Sequence, residues 1–108
     1  MKIEILAIGR NEEIMQTLLR LIRKNENWNA SGALTDEEAV TIFNQVHPDI
    51  VLLSNGIDED SEKKLSSYFS SKNPVTIIIQ HYGGGSGLLS NEILQALDKR
   101  ARIKEDQH

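Results

Sequence analysis

The chain has 108 residues, a formal net charge of −4 and a pI of about 5.3. This length is enough for one domain with a modest core, so residues 1–108 are expected to form a single domain. The lack of a basic run argues against nucleic-acid binding, and no apolar run is long enough to span a membrane. The absence of cysteine excludes disulfides and thiol chemistry and fits a cytoplasmic protein.

The first predicted strand runs from Lys2 to Ile8 and stops at Gly9. Asn11 can cap the helix that follows, because its side chain can accept a hydrogen bond from the first turn. The apolar stripe of this helix follows helical spacing and consists of Ile14, Leu18, Leu21 and Ile22, with Met15 and Leu19 beside them. The helix is expected to end near Lys24.

The second predicted strand, Trp28 to Leu34, has little bulk and is therefore placed at a sheet edge, with Trp28 as a packing residue there. Thr35 and Glu38 form a capping box that can satisfy two backbone donors at the start of the second helix. The stripe that this helix buries is Ala39, Ile42, Phe43 and Val46.

The stretch from His47 to Gly56 organises the rest of the chain. Ile50 to Leu53 is a run of four large apolar residues between a proline and Ser-Asn-Gly, which is typical of a strand buried on both faces. Chemistry in a parallel sheet takes place just beyond the carboxyl ends of the strands, which places Ser54 at the centre of any site. His47 is interpreted as a helix-end residue.

An acidic entry, Asp58 to Ser61, opens a third helix with a thin stripe that contains Leu65, Tyr68 and Phe69. Val75 to Ile79 is predicted to be another buried strand, and Gly83 to Gly87 to be a loop. A last helix should bury Ile93, Leu94, Leu97 and Ala101. Four positions on the third and fourth strands should be almost fully buried: Ile50, Leu52, Ile77 and Ile79.

Strands and helices alternate, which predicts an α/β fold: a three-layer αβα, doubly wound parallel sheet with strand order 2-1-3-4. The stretch from Gln80 to Gly87 is too short for a crossover helix, so a fourth helix should be missing. Leu88 and Leu89 then form a stub of a fifth strand, or that strand is absent. Either outcome exposes apolar residues at this side of the sheet, and we expect a homodimer or a protein partner to cover them.

The order and spacing of these segments resemble the receiver domain of response regulators in two-component signal transduction, which has a flavodoxin-like fold. Ile3 to Ile8 is similar to the first strand of that family, and Pro48 to Leu53 to its third strand. Thr35 to Val40 is similar to the opening of its second helix. The further segments that are similar to the family are Pro74 to Ile79, Gly85 to Ser90 and Glu92 to Leu97.

The resemblance also implies where the family's phosphoryl chemistry would lie, and the residues there differ. Gly9 and Arg10 stand where the family carries an acidic, metal-binding pair, and Ser54 stands where it carries the phosphate-accepting aspartate. Gln80 or His81 replaces the family's threonine or serine, and Ser90 its lysine. The implied function is a pseudo-receiver that signals by protein–protein interaction, with no cofactor and no enzymatic activity.

Elementary chemistry leads to the same expectation. Mg²⁺ prefers carboxylate oxygens, and this pocket offers a glycine, an arginine that repels the ion, and a neutral hydroxyl. A Ser54–His81 nucleophile pair is conceivable but has no evident third group, and the alternative is a hydroxyl that binds nearby backbone. The acidic residues at 58–60 could bind a cation, or form a solvated helix entry.

A second hypothesis is a small anion- or nucleotide-binding domain. Arg10, Ser54 and the backbone amides of the glycine loop would then hold the anion. The loop residues concerned are Gly83, Gly84 and Gly85. The glycine run matches no phosphate-binding motif, and Arg10 could instead pair with Glu12, Glu13 or the acidic residues at 58–60.

Overall fold

The computed structural model describes residues 3–54, 56–81, 93–95 and 97–98. They form a four-stranded parallel sheet in the order β2-β1-β3-β4, which confirms the predicted strand order. Residues 93–95 and 97–98 are helical and belong to the predicted last helix. The elements are β1 (Ile3–Ile8), α1 (Glu12–Arg23), β2 (Trp28–Ala33), α2 (Asp36–Val46), β3 (Ile50–Ser54), α3 (Glu59–Lys72) and β4 (Ile77–His81).

The centre of the molecule is β3, in which every residue is buried. Ile50 and Leu52 contribute to an apolar cluster with α1, while Val51 and Leu53 contribute to a cluster with α2 and α3. Since side chains alternate between the faces of a strand, the two clusters lie on opposite faces of the sheet. The three-layer αβα architecture is therefore confirmed.

Helix α1 buries a stripe that differs from the predicted one by one residue. Met15 is 5% exposed and joins the core with Leu18 and Ile22, whereas Ile14 is 50% exposed and lies outside it. The prediction for Ile14 was wrong because Ile14 and Met15 each fit a helical spacing with Leu18 and Ile22, so the spacing does not distinguish between them. Only the packing of α1 on the sheet decides which of the two faces inward.

Gly32 explains why β2 has so little bulk. A Cβ atom at this position would lie 2.9 Å from the Met15 sulfur and 3.0 Å from a Leu19 methyl, so these α1 side chains lie directly on the strand backbone. Trp28, at the start of β2, is only 6% exposed and belongs to the α1 cluster. It is thus a core residue in an edge strand.

Three aromatic rings belong to the otherwise aliphatic cluster on the other face of the sheet. Phe43 of α2 stacks on Phe69 of α3 with ring centroids 4.4 Å apart, and Tyr68 packs edge-on against Phe69 at 5.8 Å. Both phenylalanines are almost fully buried. His47 ends α2 with a left-handed backbone (φ 49°), which confirms its predicted role as a helix-end residue.

The predicted bounds and burial of β4 were wrong. The strand begins at Ile77 rather than Val75, which is 58% exposed, and Ile77 and Ile79 are only partly buried. The reason is that, among the described residues, β4 pairs with β3 alone and has no neighbour at its other edge. The predictions of a glycine loop, a missing fourth helix and a fifth-strand stub lie outside the described residues.

In the part of the chain that the structure describes, no helix is both long and apolar enough to cross a membrane.

Replacing Leu52 by alanine should lower the free energy of unfolding by about 2–5 kcal/mol, since it leaves a cavity at a fully buried position. Urea unfolding would measure this change. Val75→Ala is the matched control: because this side chain is largely exposed, the change should stay within about 0.5 kcal/mol. Similar losses for the two variants would contradict the central position of β3.

Candidate functional site

Three strands end side by side at one edge of the sheet. Ile8 at the end of β1 pairs with Leu53, the next residues are Gly9 and Ser54, and Ser54 pairs with His81 at the end of β4. The sheet thus brings Gly9, Ser54 and the His81 backbone together, as predicted. The register identifies His81, rather than Gln80, as the residue opposite Ser54.

Gly9 and Ser54 approach each other closely enough to exclude a side chain at position 9. A Cβ atom on Gly9 would lie 2.4 Å from the Ser54 hydroxyl oxygen and 3.3 Å from the terminal methyl of Met15. The Ser54 side chain therefore occupies the space into which a carboxylate on residue 9 would project.

Ser54 is 4% exposed, and Gly9 is buried as well. None of the hydrogen bonds formed between described residues involves the Ser54 hydroxyl, so the predicted bond to nearby backbone is not observed within the described ranges. The only candidate base that the sequence proposed for this hydroxyl is the His81 side chain, which lies outside the described part of the structure. Nucleophilic catalysis needs such a base, and the Ser54–His81 pair therefore stays a prediction.

Arg10 turns away from Ser54 and lies across the loop between β2 and α2. One guanidinium nitrogen donates to the Leu34 carbonyl oxygen at 3.1 Å, and another forms a short ion pair with Asp36. Pairing of Arg10 with an acidic residue was predicted, but Asp36 was missed as the partner. Asp36 is the first residue of α2, so its position at the same edge of the sheet was the available signal.

Arg10 also influences the loop that follows β3. The Asp58 carboxylate accepts a hydrogen bond from the Ser61 backbone N–H at 2.7 Å, which lowers the pKa of Asp58. The Ser61 side chain lowers this pKa further, and the positive charge of Arg10 adds a smaller contribution. Arg10 thus binds the carboxylate of Asp36 and acts on that of Asp58 through its charge alone.

The first turns of the three helices carry capping side chains at this edge, as the sequence predicted. Asn11 accepts from the Ile14 N–H at 3.0 Å and Thr35 from the Glu38 N–H at 3.1 Å. Glu38 accepts from the Leu34 N–H at 3.3 Å, one residue before the Thr35 N–H that the predicted capping box would use. These side chains are used in backbone capping and are therefore not poised to bind a ligand.

The acidic residues near the site do not form a metal centre within the described residues. No group of three or more potential metal ligands is found there. Asp58 is the N-cap of α3, which supports the interpretation of residues 58–60 as a solvated helix entry. Gln80 donates to Glu62 in a short hydrogen bond, a contact that sequence reasoning missed. Ser90 and the loop residues Gly83, Gly84 and Gly85 lie outside the described residues.

Comparison with known proteins identifies the fold. No protein-family model matches the sequence, and no curated protein sequence matches it. Solved structures do match. The signal receiver domain of an HD domain-containing protein from Pseudomonas fluorescens Pf-5 superposes with a TM-score of 0.82 at 17% identity, over 94% of this chain and 99% of that chain.

Two further structures agree. A response regulator receiver domain protein from Clostridium thermocellum matches with a TM-score of 0.80 at 16% identity, over 94% of this chain and 98% of its own. The chemotaxis protein CheY4 from Vibrio cholerae matches with a TM-score of 0.76 at 10% identity, over 89% and 99%. At these identities the likeness establishes architecture alone. The chain has the fold of response-regulator receiver domains.

The contact between Gly9 and Ser54 predicts a coupled effect on stability. Gly9→Ala should destabilise the protein by about 1–3 kcal/mol, because the added methyl group overlaps the Ser54 hydroxyl. In a Ser54→Ala background the same change should be neutral or stabilising, since the overlap is gone and alanine restricts the unfolded chain.

A double-mutant cycle of urea unfolding measures this coupling. Gly32→Ala in the Ser54→Ala background is the matched control, because the methyl group there meets Met15 and Leu19 instead. If Gly9→Ala lowers the free energy of unfolding equally with and without the Ser54 hydroxyl, the two residues do not compete for space.

Proposed function

We propose that this chain is a pseudo-receiver: a receiver-like module of two-component signal transduction that cannot be phosphorylated and that acts by binding protein. The proposal includes a cytoplasmic location, no cofactor and no enzymatic activity. The observation that carries it is the close packing of the Ser54 hydroxyl on Gly9. The hydroxyl fills the space where the resemblance implies an acidic metal ligand. Ser54 itself stands where the resemblance implies the acceptor aspartate.

The chemistry of the pocket supports this proposal. Phosphoryl transfer to a receiver requires a carboxylate acceptor, and Mg²⁺ requires hard oxygen ligands that usually include one or two carboxylates. Ser54 is neutral, Gly9 has no side chain, and the positive charge of Arg10 opposes a cation. Replacing Ser54 by aspartate would therefore restore the acceptor but not the metal-binding carboxylates.

The alternative of an anion- or nucleotide-binding domain has less support. The Arg10 guanidinium already binds Asp36 and the Leu34 carbonyl oxygen, so an anion would have to displace a carboxylate. Ser54 is almost fully buried and does not present its hydroxyl to solvent. No observation among the described residues favours this function over protein binding.

The side of the sheet at β4 is the proposed interaction surface. Val75 is 58% exposed just before the strand, and Ile77 and Ile79 remain partly exposed within it. Apolar side chains and a strand edge that lie together in this way are commonly covered by another chain. We propose that a second copy covers them, or that a protein partner does so.

Incubation with acetyl phosphate and Mg²⁺ should leave the protein without added phosphoryl mass, because acceptor and metal ligands are both missing. Intact-mass spectrometry measures this outcome. Ser54→Asp should also remain unmodified, since it restores an acceptor but no metal-binding pair. A working receiver domain in the same mixture serves as positive control. A phosphoryl group found on a residue of this pocket would overturn the pseudo-receiver proposal.

Light scattering coupled to size exclusion should give the mass of two chains of 12.1 kDa each at micromolar concentration. Val75→Glu should shift the protein toward one chain, because it places a charge in the apolar surface. Ile14→Glu is the matched control: this side chain is similarly exposed, on α1, and its substitution should leave the mass unchanged. A wild-type mass of a single chain would refute self-association and leave binding of a different protein.

A further inference from the structure

The outer edge of β2 is the second free edge of the described sheet, and it differs from the β4 edge. β2 pairs with β1 along its whole length, and the strand order leaves its other side without a neighbour among the described residues. Such an edge presents a row of backbone donors and acceptors that can template pairing with another strand.

Hydrogen bonds show which backbone groups point outward. Ile3 N–H donates to the Asn27 carbonyl oxygen at 2.8 Å and Gly9 N–H to the Ala33 carbonyl oxygen at 3.0 Å, so these two carbonyls point toward β1. Because the direction alternates along a strand, Ala30 and Gly32 point away from the sheet. Neither the N–H groups of these two residues nor the Gly32 carbonyl oxygen takes part in a hydrogen bond between described residues.

Side chains occupy three of the other outward groups, whereas the Trp28 carbonyl oxygen accepts none of the hydrogen bonds between described residues. The Arg23 guanidinium, at the end of α1, donates to the Ala30 carbonyl oxygen at 3.1 Å. At the other end of the strand, the Leu34 N–H donates to Glu38, and the Leu34 carbonyl oxygen accepts from Arg10. The exposed edge is thereby reduced to the short stretch around Ala30 and Gly32.

That stretch is complementary to itself. In an antiparallel pair with a second copy, related by a two-fold axis at Ser31, Ala30 of one chain lies opposite Gly32 of the other. Ala30 N–H can then donate to the Gly32 carbonyl oxygen, and Gly32 N–H to the Ala30 carbonyl oxygen. The Ala30 carbonyl oxygen is the acceptor that Arg23 occupies.

We propose that Arg23 prevents the chain from pairing with a second copy of itself along the β2 edge. Its guanidinium competes for the Ala30 carbonyl oxygen, and the two-fold axis would bring two Arg23 side chains toward each other as like charges. The competition for the Ala30 carbonyl oxygen opposes any added strand, and the repulsion between two Arg23 side chains adds a further cost when that strand comes from a second copy. Association is thereby left to the β4 side of the sheet.

Arg23→Ala tests the proposal directly. Sedimentation over a range of concentrations should show an association constant about tenfold higher than in the wild type, since one hydrogen bond and one charge per chain no longer oppose pairing. Arg20→Ala is the matched control: Arg20 lies one turn earlier on α1 and takes part in none of the hydrogen bonds between described residues. The association constant of Arg23→Lys, which keeps the charge, should lie between those of Arg23→Ala and Arg20→Ala.

Amide hydrogen exchange identifies the surface that associates. The Ala30 and Gly32 amides should gain protection when Arg23→Ala associates, whereas the inward-pointing Asn29 and Ser31 amides are protected in all variants. This readout separates the β2 edge from the β4 side, so it does not depend on the dimer proposed above. Equal association of Arg23→Ala and Arg20→Ala, or association without protection of Ala30 and Gly32, would overturn the proposal.

Discussion

Burial of β3 on both faces is the constraint on which the rest of the structure depends. Ile50 to Leu53 are fully buried, and each such aliphatic side chain stabilises the fold by about 1.5–3 kcal/mol only when it is removed from water. A helix layer is needed on each face and a neighbouring strand on each side. This arrangement places the carboxyl end of β3, and with it Ser54, at the middle of the sheet edge where β1 and β4 also end.

Close packing at that edge determines the chemistry that is available. Position 9 has no room for a side chain because the Ser54 hydroxyl and Met15 occupy the space, and Arg10 is directed to Leu34 and Asp36. The Arg10 guanidinium thus joins the loops after β1 and β2.

The sequence alone was sufficient for the architecture but not for side-chain contacts. Strand order and the capping roles of Asn11 and Thr35 followed from local patterns, because apolar runs and caps depend on neighbouring residues. The inward position of Met15 instead of Ile14 depends on how α1 lies against β2. Pairing of Arg10 with Asp36 joins residues far apart in the sequence, and several other carboxylates were equally plausible partners.

The two edges of the described sheet differ in what they expose. Along β2, polar side chains from α1 and from the flanking loops bind outward backbone groups. Because Gly32 has no side chain, α1 packs directly on one face of this strand. Beside β4, the described residues instead present Val75, Ile77 and Ile79 with part of their apolar surface exposed. Backbone groups capped by side chains oppose strand pairing, whereas exposed aliphatic surface favours association. Within the described sheet, the β4 side is therefore the better surface for association and the β2 edge the poorer one.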